Sequence, residues 1–265
     1  MKIPSEGPAT PGPGPVSPGR WIDRRRLRYK KHPTVSFSEV QGKLKTGDII
    51  LFHKTARTGF IDSLELDFVS PLFFRANEFR HSGIIVRHED GIFVLECAEP
   101  LHSGHSLATY PTGGNGIRLV SIEPLLDAYS RDNGDPHFGV KFIANELPVA
   151  RVNEVLSGYG PVNYLKMQRS LPLYLTKFFL PNPIRRNILD AYRHEMMCSE
   201  FVHSFLNRCG ALASYPSKLL APYSIENRRF FQKIEIVPYS EIVRFTFPVR
   251  EARRDACPPD GHHKS

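Results

Sequence analysis

Apolar and polar positions come in blocks along this chain, each with its own period. Residues 48–52, Asp48-Ile49-Ile50-Leu51-Phe52, are a nearly continuous apolar run, as in a strand buried on both faces. Residues 82–86 and 92–97 are two further short apolar runs separated by Glu89-Asp90-Gly91, the pattern of a β-hairpin. Residues 116–122 and 139–144 predict two more strands with a helix or turn between them. Residues 148–157 predict a short helix, broken by Gly158-Tyr159-Gly160-Pro161. Counting from Cys198, apolar residues recur at Phe201, Val202, Phe205, Leu206 and Cys209. That is the stripe of a buried amphipathic helix with Cys198 in its first turn. Residues 234–237 and 242–247 predict two last strands. Between these blocks, residues 58–80 predict a short helix and a loop, and the very apolar segment 163–183 ends at Pro181-Asn182-Pro183. Strands mostly adjacent in sequence, with a helix inserted late, predict an α+β domain.

The flanks differ in composition. Residues 1–19 are rich in Pro, Gly and Ser and hold too little apolar surface to fold. Residues 20–31 carry Arg24, Arg25, Arg26, Arg28, Lys30 and Lys31 interleaved with Trp21, Leu27 and Tyr29. Such a run is either a binding segment for an anionic surface, lipid or nucleic acid, or the solvated flank of the folded body. The formal charge of the chain is +8, and residues 1–45, with ten basic and three acidic side chains, supply +7 of it. The rest is nearly neutral, so any attraction to anionic partners belongs to the arm. The expected layout is a disordered arm over 1–41, one domain over 42–248 and a disordered tail over 249–265. No 18-residue apolar run spans a membrane, and the N-terminus has no apolar core of a signal peptide.

The four cysteines, Cys97, Cys198, Cys209 and Cys257, form neither CxxC pairs nor metal-type spacings. They point to a reducing, intracellular compartment and give no reason to expect a metal or other cofactor. Cys198 is different from the rest by position. A thiol in a first helical turn meets unpaired N–H groups and the positive end of the helix dipole, and both favour the thiolate. It needs a base, and His81, at the head of His81-Ser82-Gly83-Ile84, is the best candidate. His102, His105 and His194 compete, while His203 faces another side of the helix. If Val86 pairs with Gly91 around a four-residue loop, the register sets His81 directly opposite Glu96, within reach of an imidazole–carboxylate contact. A tight turn at Asp90-Gly91 would move the two apart. Cys97 points to the other face of its strand, and both Cys97 and Cys209 read as core.

Taken in order, Gly47-Asp48-Ile49-Ile50, His81-Ser82-Gly83-Ile84, Glu96 and Cys198-Ser199-Glu200-Phe201-Val202 resemble one family. They are similar to the circularly permuted NlpC-type, papain-like cysteine hydrolases, in the YiiX-like branch that is related to a poxvirus group. Residues 158–164 and Ala221-Pro222-Tyr223 are similar too. The resemblance covers about residues 42–248. It implies a permuted papain-like fold with an antiparallel sheet against the helix of the catalytic cysteine, Cys198 as nucleophile, His81 as base and Glu96 as the group that orients the imidazole. It implies hydrolysis of an amide or ester, in a peptide or a lipid, through an acyl-enzyme. Two alternatives stay open. One is a lipid-directed acyltransferase or phospholipase with the same dyad, using the apolar residues from Leu171 to Leu180 as a lipid-facing surface. The other is a non-catalytic binding protein on the same fold.

Overall fold

The computed structural model describes residues 34–53, 79, 81–98, 116–133, 137–159, 162–164, 195–215 and 222–248. Strand β1 (Thr34–Ser36) leads into helix α1 (Phe37–Gln41), then β2 (Ile49–Phe52), β3 (His81–His88), β4 (Gly91–Ala98) and β5 (Gly116–Ser121). Helix α2 (Ile122–Asn133), β6 (His137–Lys141), α3 (Val149–Ser157), β7 (Asn163–Tyr164), β8 (Glu195–Met196) and helix α4 (Cys198–Arg208) follow. Helices α5 (Pro222–Glu226) and α6 (Arg228–Phe231) and strand β9 (Val243–Thr246) complete the described chain. The expected strands at 82–86, 92–97, 116–122, 139–144 and 242–247 and the helices at 148–157 and Cys198 correspond to β3, β4, β5, β6, β9, α3 and α4.

Among the described residues, seven strands form one sheet in the order β1-β9-β6-β2-β3-β4-β5, antiparallel except at β1–β9. The fold is mixed α+β. The alternation of strand side chains explains why the sheet is covered on both faces. In β2, Ile49 and Leu51 point into one core with Phe201, Val202, Phe205 and Leu206 of α4, while Ile50 and Phe52 point into a second core with Phe37 and Val40 of α1 and Leu125 and Leu126 of α2. The four apolar α4 residues are fully buried, each stabilising the fold by roughly 1.5–3 kcal/mol. This burial pins α4 against β3 and β4.

Three expectations need correction. The folded body includes residues 34–41, which the expected layout left in the arm: β1 pairs with β9, and Phe37 and Val40 are buried. Residues 234–237 form no strand. Ile234 is buried but Ile236 is 61% exposed, whereas both would share a face in a strand. Their N–H groups close turns onto Phe231 or bond Ala211, leaving one isolated bridge at Glu235. Cys209 is only at the edge of the core: it is half-buried, packs against the cluster on the α4 side and caps the end of α4. The basic run, the tail, the segment 58–78, most of 163–183, Ala221, His102, His105, His194 and Cys257 lie outside the described residues. No described helix is long and apolar enough to cross a membrane.

The hairpin register decides what β3 and β4 can bring together. His88 pairs with Gly91 around a two-residue loop, so Ile84 faces Leu95. His81 is therefore one same-face step along from Glu96, and the residue opposite Glu96 is Gly83. A diagonal pair stands about 7–8 Å apart at Cα and needs an open path between its side chains. Gly83 provides it. A Cβ there would lie 2.6 Å from Val94 Cγ1 and 3.4 Å from Glu96 Cβ. Gly83→Ala is therefore expected to destabilise the protein by about 1–3 kcal/mol through overpacking and to lengthen the contact between His81 and Glu96. Chemical denaturation and the His81 ring NMR shifts would check this; a wild-type midpoint with unchanged shifts would count against it.

Candidate active site

Strand β3 begins at His81, β4 carries Glu96, β5 carries Arg118, and α4 begins at Cys198. The start of α4 is fixed by its own sequence. Glu200, in the first turn, accepts the Met197 N–H at 3.1 Å, and Cys97 Sγ lies 3.6 Å from Met196 O. Close packing also holds the preceding segment. Gly116, at φ +139°, lets β5 approach β7 so tightly that a Cβ would lie 2.0 Å from Val162 O. Cys198 is thus held at the first helical position, where early N–H groups lack intrahelical partners.

All four side chains are buried: Glu96 is fully enclosed, and Cys198, His81 and Arg118 nearly so. His81 Nε2 meets Glu96 Oε2 at 2.6 Å, and the imidazole is also hydrogen-bonded to the Cys198 thiol. With Nε2 committed to Glu96, Nδ1 is the ring nitrogen left for sulfur. Arg118, directly opposite Glu96 across the β4–β5 pair, donates to Oε1 from Nε at 2.8 Å and from Nη2 at 2.5 Å. On the side of α2, the Tyr129 ring stacks on His81 at 5.7 Å between centroids, with planes 14° apart, and Phe52 packs against both rings.

The electrostatics follow from this geometry. Burial alone would lower the pKa of His81, but the charges of Cys198 and then Glu96 outweigh it and raise the value to about 9. Burial would raise the pKa of Cys198, yet the His81 charge and hydrogen bond, followed by the Ser82 backbone, bring it below the usual thiol range. The buried Ser82 hydroxyl, otherwise without a hydrogen-bond partner, also favours the charged sulfur. Glu96 meets an opposing burial penalty and is held below the usual carboxylate range by His81 first and then Arg118. Each of these shifts favours the charged form, so the geometry promotes a thiolate beside an imidazolium, with a carboxylate and a guanidinium behind them.

Cys198, His81 and Glu96, the three residues expected at the site, form one chain of contacts through His81. His203 does not join them: its Nε2 is bonded to Ala213 O at 3.2 Å. Cys97 lies in the core on the α4 side, and burial drives its pKa strongly upward. Burial also raises Cys209, to about 11. Asp48 of the Gly47-Asp48 patch accepts the N–H groups of Lys45 and Ile143, each at 2.7 Å, and so ties β2 to β6. Arg118 was missed. Its signal was a lone cation in the apolar run Ile117-Arg118-Leu119-Val120, which calls for a buried partner. Among the described residues, no group of three or more His, Cys, Asp or Glu side chains is placed to share a metal ion.

A protein of Acanthamoeba polyphaga mimivirus, the uncharacterized protein R372, is 32% identical over 224 residues, covering 80% of this chain and 86% of the viral protein. The chain belongs to the family of this viral protein. No family model matches it. Among solved structures it is similar to the metalloprotein yiiX of Escherichia coli O157:H7, with 14% identity and a TM-score of 0.36 over 76% of this chain and 88% of that one. The family rests on the viral relative.

Proposed function

We propose that this protein is a cysteine hydrolase of the permuted papain-like kind, cleaving an amide or ester bond through an acyl-enzyme. The observation that carries the reading is the buried chain Cys198–His81–Glu96 at the start of α4. The Cys198 thiolate attacks the substrate carbonyl carbon, and the carbonyl electron pair moves onto oxygen, where first-turn N–H groups of α4 stabilise it. The tetrahedral intermediate collapses, the C–N or C–O bond breaks, and the His81 imidazolium protonates the leaving group. Water then attacks the thioester with its proton passing to His81, which restores the thiolate and imidazolium as the acid departs. Glu96 keeps the imidazole in one tautomer and orientation throughout.

The pH dependence separates this mechanism from a merely reactive thiol. Turnover needs the thiolate and the imidazolium together. It should rise with pH as Cys198 ionises and fall through about pH 9 as His81 loses its proton. Alkylation of Cys198 by iodoacetamide needs only the thiolate, so it should share the acidic limb and show no alkaline fall. Both profiles can be recorded on the full chain, with fluorogenic amides and p-nitrophenyl esters as substrates. Cys198 alkylating like an ordinary thiol, or turnover climbing steadily past pH 9, would end this reading.

A further inference from the structure

Glu96 divides its two oxygens between two partners. Oε2 faces His81 at 2.6 Å, while Oε1 takes both guanidinium contacts of Arg118 at 2.8 and 2.5 Å. Burial pushes Glu96 toward its neutral form, and the His81 charge that opposes this most is lost whenever the imidazole gives up its proton. A neutral carboxyl could present O–H instead of an acceptor to the ring. Arg118 opposes both outcomes, because its guanidinium cannot lose its charge and its planar fork fixes the rotation of the carboxylate. The fork arrives from the adjacent strand, in a run that is otherwise apolar, and is itself buried.

We propose that Arg118 is a positioning residue, which keeps Glu96 ionised with Oε2 turned to His81 and through that contact sets the reactivity of Cys198. This inference rests on the reading of Cys198 and His81 as a working pair. Among the described residues, the charged and titratable groups around that pair include Glu96 and Cys97 on β4, Arg118 on β5, Tyr129 on α2 and Glu200 on α4 itself. Arg118 is the cation among them that bonds Glu96. Without it, burial drives the Glu96 carboxyl to take up a proton and its rotation is no longer fixed, so His81 loses the negative charge that faces it. The imidazolium is then held less firmly, and the thiolate loses part of its counter-charge. The acidic limb of Cys198 reactivity must therefore move to higher pH.

The test is the pH profile of Cys198 alkylation by iodoacetamide, followed by mass spectrometry of the Cys198 peptide in the full chain. In Arg118→Met the acidic limb should move up by about one pH unit or more. In Arg118→Lys, which keeps a cation but loses the fork, it should move less and in the same direction. Glu96→Gln should shift it too, and adding Arg118→Met to Glu96→Gln should add nothing, because the arginine acts through that carboxylate. If Arg118→Met fails to fold, Arg118→Lys and the charge-neutral pair Glu96→Gln/Arg118→Gln carry the comparison. A structural ion pair alone would alter melting and leave the limb in place. Profiles of the folded Arg118 variants that superimpose on wild type, or additive shifts in the double variant, overturn the proposal. A wild-type Cys198 that titrates as an ordinary thiol overturns the underlying dyad instead, so the two failures are distinguishable.

Discussion

Cys198→Ser should retain the fold and lose turnover by at least about a thousandfold, with His81→Ala losing a comparable amount and the double variant little more. The fold survives because serine is nearly isosteric and a hydroxyl is well tolerated at a helix start. Chemistry fails because the hydroxyl does not ionise beside an imidazole as the thiol does. The change has a second signature. The Cys198 charge raises the His81 pKa more than Glu96 does, while burial opposes both. In Cys198→Ser, the His81 ring should therefore titrate well below the value of about 9 expected for wild type, which NMR of the C2 proton reads directly. Cys209→Ser is the control: half-buried at the opposite end of α4 from Cys198, it should leave turnover intact. Full turnover in a folded Cys198→Ser protein, or its loss in Cys209→Ser, would remove Cys198 from the mechanism.

The elements that build this site were legible wherever periodicity alone decided them. The apolar run of β2 fits a strand buried on both faces, and the stripe from Cys198 to Leu206 fits a helix packed on a sheet, because burial selects those patterns directly. Register was not legible. Glu89-Asp90-Gly91 is compatible with a two-residue or a four-residue loop, and the choice moves every side chain of β4 relative to β3. The structure takes the short loop, which makes the His81–Glu96 contact diagonal and gives Gly83 its role as the gap it crosses. Arg118 was hidden for a related reason: its partner is fixed by the pairing of β4 with β5, across a connection whose sequence carries no register signal. Residues 234–237 misled because Ile-Glu-Ile-Val has the period of a strand, yet their N–H groups close turns or bond the chain after α4 and stay outside the main sheet.

Glu96 variants should produce a large stability effect. Glu96→Ala leaves the buried Arg118 without its anion and His81 without its anchor. Breaking a buried pair from one side costs about 3–5 kcal/mol, which urea unfolding would detect. Glu96→Gln should be milder but not neutral. The carboxylate uses one oxygen for each partner, whereas an amide has one oxygen and one N–H donor group. Whichever way the amide turns, a donor is set against Arg118 or against the His81 N–H, so turnover should fall by roughly ten- to a hundredfold while the nucleophile remains. The pH dependence of stability fixes the sign. Because the folded-state pKa of Glu96 lies below the ordinary carboxylate value, its contribution is present above an unfolded pKa of about 4.3 and is lost as pH falls through the folded value. Wild type should therefore lose stability on acidification below about pH 4, and Glu96→Gln should lack that component of the loss. Acid unfolding curves of the two proteins that run parallel through this window would show that Glu96 is not held ionised by His81 and Arg118, and the electrostatic account of the site would fail with it.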